Sequence, residues 1–176
     1  DMNNFEKAEM LHKKSLRITE QFLDHNHPDI ARSLLSLGNF YVAIGNHKKA
    51  EPLIKRALKI NQKVFGDNHQ NTKQSTNNLL KLYIDTEDYK KALPIAKKQL
   101  MVARKTHLSS HIDIAFEMNK LGVIYYNIDD HQNAEKLLKE CLAICEKVCA
   151  TYDPFVALVL NNLGTLYLKM DDQQKA

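Results

Sequence analysis

The chain is expected to fold as an all-α solenoid of antiparallel helix pairs, and three features of its 176 residues predict it. Small and bulky side chains recur every 42 positions: Ala8, Ala50, Ala92, Ala134 and Ala176; Leu37, Leu79, Leu121 and Leu163; Tyr41, Tyr83, Tyr125 and Tyr167. A fixed period of roughly 20 to 50 residues marks stacked structural units, each too small to bury its apolar face alone. Every period opens with a helix-start signal, since His27, His69, His111 and Asp153 share one lattice and Pro28 and Pro154 stand at first helical positions. No segment alternates with period two in the β-branched manner of a strand.

Taken in order, residues 1–26 align with the second half of a period and read as the second helix of a partial repeat, because residue 1 falls on the lattice of Ala43. Residues 27–68 form a full repeat. Its first helix starts at His27-Pro28-Asp29 and ends near Gly45-Asn46; its second resumes at His47 and runs towards Phe65, where Gly66-Asp67-Asn68 supplies the stop. Residues 69–110 and 111–152 repeat the plan, and 153–176 begin another. The whole is expected to be one array, an excerpt of a longer one, opening and closing inside a repeat.

At about 100° per residue, the first helix of the first full repeat has two faces. Leu34, Leu37, Gly38 and Tyr41 form the packing seam, and Arg32, Ser36, Asn39 and Ala43 lie opposite. Gly38, Gly122 and Gly164 are expected to admit the second helix closely at its alanine (Ala50, Ala134, Ala176), with Ala57 and Cys141 as further small contacts. The second repeat departs from this plan, with Leu80 in the glycine slot and Gln99 in the second small slot.

The spacing Leu-x-x-Leu-Gly-x-x-Tyr followed by two small residues resembles the tetratricopeptide repeat, and the 42-residue unit, as in HPDIARSLLSLGNFYVAIGNHKKAEPLIKRALKINQKVFG, is similar to the kinesin light chain type. That resemblance covers essentially the whole chain. It implies a right-handed superhelix whose first helices line a concave surface, and a protein-binding role. Kinesin light chains carry Asn-Asn at this face and bind short acidic peptides with an aromatic anchor; Asn77-Asn78 and Asn161-Asn162 match the pair, Asn119-Lys120 matches half of it, and Leu35-Ser36 does not.

Projecting the face opposite the seam gives the candidate groove: Arg32, Ser36 and Asn39; Gln74, Asn77, Asn78 and Lys81; Asn119 and Lys120; and Asn162. Amides donate and accept together, which suits the backbone of an extended peptide, and the cations suit carboxylates. A solvated polar face is the plainer reading of the same asparagines. Phe116 and Leu158 on this side are expected to pack between neighbouring first helices.

Composition narrows the rest. With 25 Lys and Arg against 21 Asp and Glu, the formal charge of +4 is too mild for nucleic-acid binding without a basic stripe and stacking aromatics. The charge concentrates at 27–68 (seven cations, three anions) and 69–110 (eight and three), mostly on second helices whose outer faces are solvated. No run approaches about 18 apolar residues, and no secretory signal opens the chain, so no membrane insertion is expected. The three cysteines, Cys141, Cys145 and Cys149, drift around one helix and lack a second ligand pair, so a zinc site is not expected. Their scarcity fits a reducing compartment, and the expected location is cytoplasmic. There is no nucleophile motif, phosphate loop or metal helix. The chain is therefore read as no enzyme, with no cofactor: an adaptor-type module binding an acidic, extended protein segment. The alternatives are a self-associating scaffold arm and a sensor domain regulating an attached enzyme.

Overall fold

The computed structural model describes residues 2–106, 111–148 and 153–175. Among these it has eight helices and no strand: α1 (Met2–Phe22), α2 (Pro28–Ala43), α3 (His47–Phe65), α4 (Gln70–Asp85), α5 (Tyr89–Thr106), α6 (Ile112–Asn127), α7 (His131–Val148) and α8 (Pro154–Lys175). The fold is an all-α solenoid of helix pairs. His107, Cys149 and Ala176 lie outside the described residues. The chain divides into two compact units, residues 1–87 and 88–176.

The helix starts follow one chemical device. Nδ1 of His27 accepts the backbone N–H of Asp29 at 3.2 Å, His69 accepts that of Asn71 at 3.2 Å, His111 that of Asp113 at 3.1 Å, and Asp153 takes the N–H of Phe155 on Oδ1 at 2.7 Å. Each satisfies one of the amide donors that a helix N-terminus leaves without an internal partner. The histidine lattice thus has a capping role. Turns between helices of a pair recur as well: Gly45, Glu87 and Asp129 all adopt positive φ, 73°, 55° and 61°. At Glu87 and Asp129 the chain tolerates the strain of a left-handed non-glycine residue to reverse direction. The same register places a turn at Asp171, yet α8 continues through it to Lys175.

In the first unit each helix packs on the next along the chain, and α2 also touches α4. Its core holds Ile30, Ala31, Leu34, Ala50, Ile54 and Ala57, all 0% exposed. The second unit repeats this, with Ala115, Ile124, Ala134, Cys141, Cys145, Val159 and Leu166 at 0% and α6 touching α8. Leu80 is buried as well, so the bulkier residue in the glycine slot is accommodated inside.

The close approach at the seam differs from the expected small-to-small contact. A Cβ on Gly38 would lie 2.8 Å from Ile54 Cγ1, and one on Gly122 would lie 2.9 Å from Leu138 Cγ. The glycines therefore receive a branched aliphatic side chain one turn beyond the alanine. Ala50 and Ala134 are fully buried, but Gly122 meets only the carbonyl oxygen of Ala134, at 3.7 Å. A Cβ on Gly164 would meet nothing within 4 Å among the described residues.

Candidate functional site

The first-helix face carries a cluster of amides in each unit. In the first, Asn78 on α4 donates from Nδ2 to Oδ1 of Asn39 on α2 at 3.1 Å. In the second, Asn162 on α8 donates to Oδ1 of Asn119 on α6 at 2.8 Å. Sequence reasoning placed these residues on a common face; the structure shows that they also bond one another. Such a bond fixes both rotamers, so the remaining amide N–H groups of Asn39 and the carbonyl of Asn78 are presented in set directions. That ordering entropy is then spent in folding and is not charged to ligand binding.

The expected cations behave differently from one another. Arg32 is bound to Asp29 at 2.8 Å, one turn back along α2, and Lys120 to Glu117 at 2.9 Å in the same i,i+3 arrangement. In both pairs the carboxylate is a near neighbour in sequence on the same helix. Lys81 is exposed and, among the described residues, pairs with no carboxylate. Ser36, Gln74 and Asn77 are exposed beside the first amide pair. Phe116 packs against Phe155 with ring centroids 4.1 Å apart and the rings tilted by 41°, so it joins α6 to α8 as expected, whereas Leu158 remains 47% exposed.

The sequence reading missed a second periodic arrangement. The hydroxyl of Tyr41 donates to Glu9 at 2.7 Å, that of Tyr83 to Glu51 at 2.8 Å and that of Tyr167 to Glu135 at 2.9 Å, and each glutamate is held by a lysine four residues on, Lys13, Lys55 and Lys139, at 2.7 Å. The signal was present, because Glu9, Glu51 and Glu135 share the 42-residue lattice. Lys13 first and Tyr41 second hold the Glu9 carboxyl below the ordinary glutamate value of 4.5; Lys139 and then Tyr167 do the same for Glu135. Burial, followed by the facing glutamate, raises the phenols of Tyr41 and Tyr83.

A pH dependence follows from those directions. A carboxyl whose folded pKa is depressed contributes stability above its unfolded value and loses it as the pH falls through the folded value. The urea midpoint is therefore expected to drop on acidification below about 4.5, and Glu9→Gln with Glu135→Gln is expected to flatten that drop. An acid limb unchanged in the double variant would show that these contacts do not contribute. Both carboxylates lie at the surface, so each effect is a fraction of the fall.

Cys141 directs its thiol to the carbonyl of Ala115 at 3.1 Å, within the core. Among the described residues no group of three or more His, Cys, Asp or Glu side chains could hold a metal ion. No described helix is long and apolar enough to cross a membrane.

Capped helix pairs stacked on a 42-residue lattice, with tyrosines tied to the preceding helix, define a helical repeat protein. The tetratricopeptide repeat model matches residues 1–63, 29–105 and 114–176, and the chain belongs to that family. No curated protein sequence matches it. Among solved structures it is similar to the nearly identical TPR-like repeats of a Podosopora anserina protein designated a kinesin light chain (TM-score 0.83, 21% identity, 98% of this chain and 82% of that one). It is also similar to BtubC (BKLC) from P. vanneervenii (0.76, 24%, 98% and 69%). A third similar structure is a Rap protein complexed with Competence and Sporulation Factor (0.63, 22%, 99% and 47%). At these identities the likeness is one of fold.

Proposed function

We propose that this chain is a protein-interaction module whose first-helix face receives an extended, acidic segment of a partner protein. The observation that carries the reading is the pre-bonded amide pair, Asn39 with Asn78 and Asn119 with Asn162, in which the donors Asn78 and Asn162 share one lattice and the acceptors stand one turn apart on the preceding first helix. An extended peptide loses water from its backbone N–H and C=O groups on binding, and fixed amides replace those partners without a further ordering cost. Lys81, beside the first pair, supplies a cation that pairs with no carboxylate among the described residues. Arg32 and Lys120 are already neutralised, so they set geometry more than charge. A similar fold has been solved in complex with Competence and Sporulation Factor, which agrees with a ligand-receiving role for such repeats. The reading includes an adaptor or cargo-recognition role, no catalysis and a cytoplasmic setting.

The test is titration of a labelled acidic peptide by fluorescence anisotropy. Lys81→Glu is expected to weaken binding about tenfold, equivalent to about 1.4 kcal/mol. Adding Lys120→Glu should deepen the loss, because it also sets two acids one turn apart at Glu117. The helical circular dichroism signal should be unchanged, since Lys81 is exposed. Equal affinity of the Lys81→Glu variant and the unmodified chain would remove the proposal.

A further inference from the structure

The third tyrosine breaks the periodic arrangement, and it does so beside a hollow. Where Glu9, Glu51 and Glu135 stand in the other repeats, α5 carries Leu93. Tyr125 therefore faces no carboxylate at that place, and Lys97, the counterpart of Lys13, Lys55 and Lys139, lies 5.5 Å from the centre of the Tyr125 ring with no acid paired to it among the described residues. Four residues on, Met101 replaces the Arg17 and Lys59 of the earlier repeats. The two changes act together. One removes an anion that would neutralise Lys97, and the other exchanges a cationic side chain for an apolar one.

Beside them lies a hollow of about 360 Å³ within the second unit, lined by Lys97, Leu100, Met101, Arg104, Lys105 and Leu121. Its floor is apolar: Leu100 is 5% exposed, Leu121 4%, and Met101 lies open at 49%. Its rim is cationic. Arg104 reaches Glu140 of α7 at 3.3 Å, while Lys97 and Lys105 pair with no carboxylate among the described residues. The corresponding hollow on α1 is lined by Glu6 and Glu9 beside Lys13, Lys14 and Arg17, and Glu9 pairs with Lys13, so that strip carries its own carboxylates. The α5 strip has none.

We infer that this hollow is a second binding site, distinct from the amide-lined face, for a short acidic peptide segment carrying one apolar side chain. The apolar side chain sits on Met101, Leu100 and Leu121, and flanking carboxylates meet Lys97 and Lys105. From Lys97 to Lys105 the helix rises about 12 Å, which matches about four residues of extended chain. A flexible methionine suits such a surface, because its unbranched side chain adapts to the group that lands on it. The charge complementarity comes from this hollow alone, so the inference does not rest on the proposed function.

The experiment uses the 176-residue chain labelled with 13C-methyl methionine, with the Met101 signal assigned by its loss in Met101→Leu. The probe is a nine-residue peptide of aspartate and glutamate with one central leucine, beside a matched peptide with serine at that place. The leucine peptide is expected to shift the Met101 methyl signal in a saturable manner, and the serine peptide to need at least tenfold higher concentration. Leu93→Glu, which returns the missing carboxylate to Lys97, should weaken binding about fivefold, and Lys97→Glu more than tenfold, whereas Lys81→Glu should leave the Met101 titration unchanged. A Met101 signal that stays still up to millimolar leucine peptide would overturn the inference, as would equal affinities of Leu93→Glu and the unmodified chain. Decanoate shifting Met101 where the peptide does not would also overturn it, in favour of a fatty-acid site. Loss of the Met101 titration with the Lys81 effect intact would leave the amide-face reading standing, and the converse result would leave the hollow.

Discussion

Ile54→Ala is expected to lower the stability of the chain by about 4 kcal/mol, towards the upper end of the range for large-to-small core substitutions. Ile54 is 0% exposed, and its Cγ1 occupies the space a side chain on Gly38 would fill, 2.8 Å from that ideal Cβ position. Truncation removes buried methyl groups facing a residue with no side chain of its own. Gly38 cannot relax into the space, so the cavity term adds to the transfer term. Urea unfolding followed by helical circular dichroism measures the change. A second substitution sharpens it: Gly38→Ala in the Ile54→Ala background should recover about 1 kcal/mol, through helix propensity and restored volume. A loss of less than about 1 kcal/mol for Ile54→Ala would mean that the contact does not hold the pair together.

Gly122→Val is expected to cost about 2 kcal/mol for the opposite reason, overpacking. An added Cβ would stand 2.9 Å from Leu138 Cγ and 3.0 Å from Leu138 Cδ2, and Leu138 is 1% exposed with little room to retreat. The matched control lies on the same lattice. A Cβ on Gly164 would meet nothing within 4 Å among the described residues, so Gly164→Ala should stabilise by about 0.5 to 1 kcal/mol through helix propensity alone. Opposite signs at two equivalent positions are the signature to look for in the urea midpoints. The same sign at both would mean that propensity, and not the approach of α7, decides the glycine.

Much of the fold was legible because the repeat is written in residue types that have one physical use each. The histidine and aspartate lattice at 27, 69, 111 and 153 foretold helix starts, and each does cap one. The boundaries of α2 and α3 follow from Pro28, Gly45, Asn46 and Gly66 in the same way. The partner of each seam glycine was not legible. Periodicity gives the direction a residue faces on its own helix, whereas the point at which two helices cross depends on how their ridges interlock. So Gly38 meets Ile54, although Ala50 has the better-conserved spacing within the chain.

The amide face was half legible. Its asparagines could be assigned to one side by angle, but the bonds that join Asn39 to Asn78 and Asn119 to Asn162 depend on the distance between neighbouring first helices, which no single helix encodes. The pairing of Arg32 with Asp29 and of Lys120 with Glu117 was within reach, since both are three residues apart on one helix. The glutamates at 9, 51 and 135 escaped a search that followed only small and bulky residues. Once they are followed, Leu93 stands out as the place where the lattice is broken.

The reading of the amide face is tested most directly by side-chain amide resonances of 15N-labelled chain during titration with an acidic peptide. The account predicts that the Nδ2 signals of Asn39, Asn78 and Asn162 shift together and saturate at one common concentration, with Lys81→Glu moving that concentration upward about tenfold. Stationary Asn39, Asn78 and Asn162 signals, while the peptide demonstrably binds the chain, would contradict it.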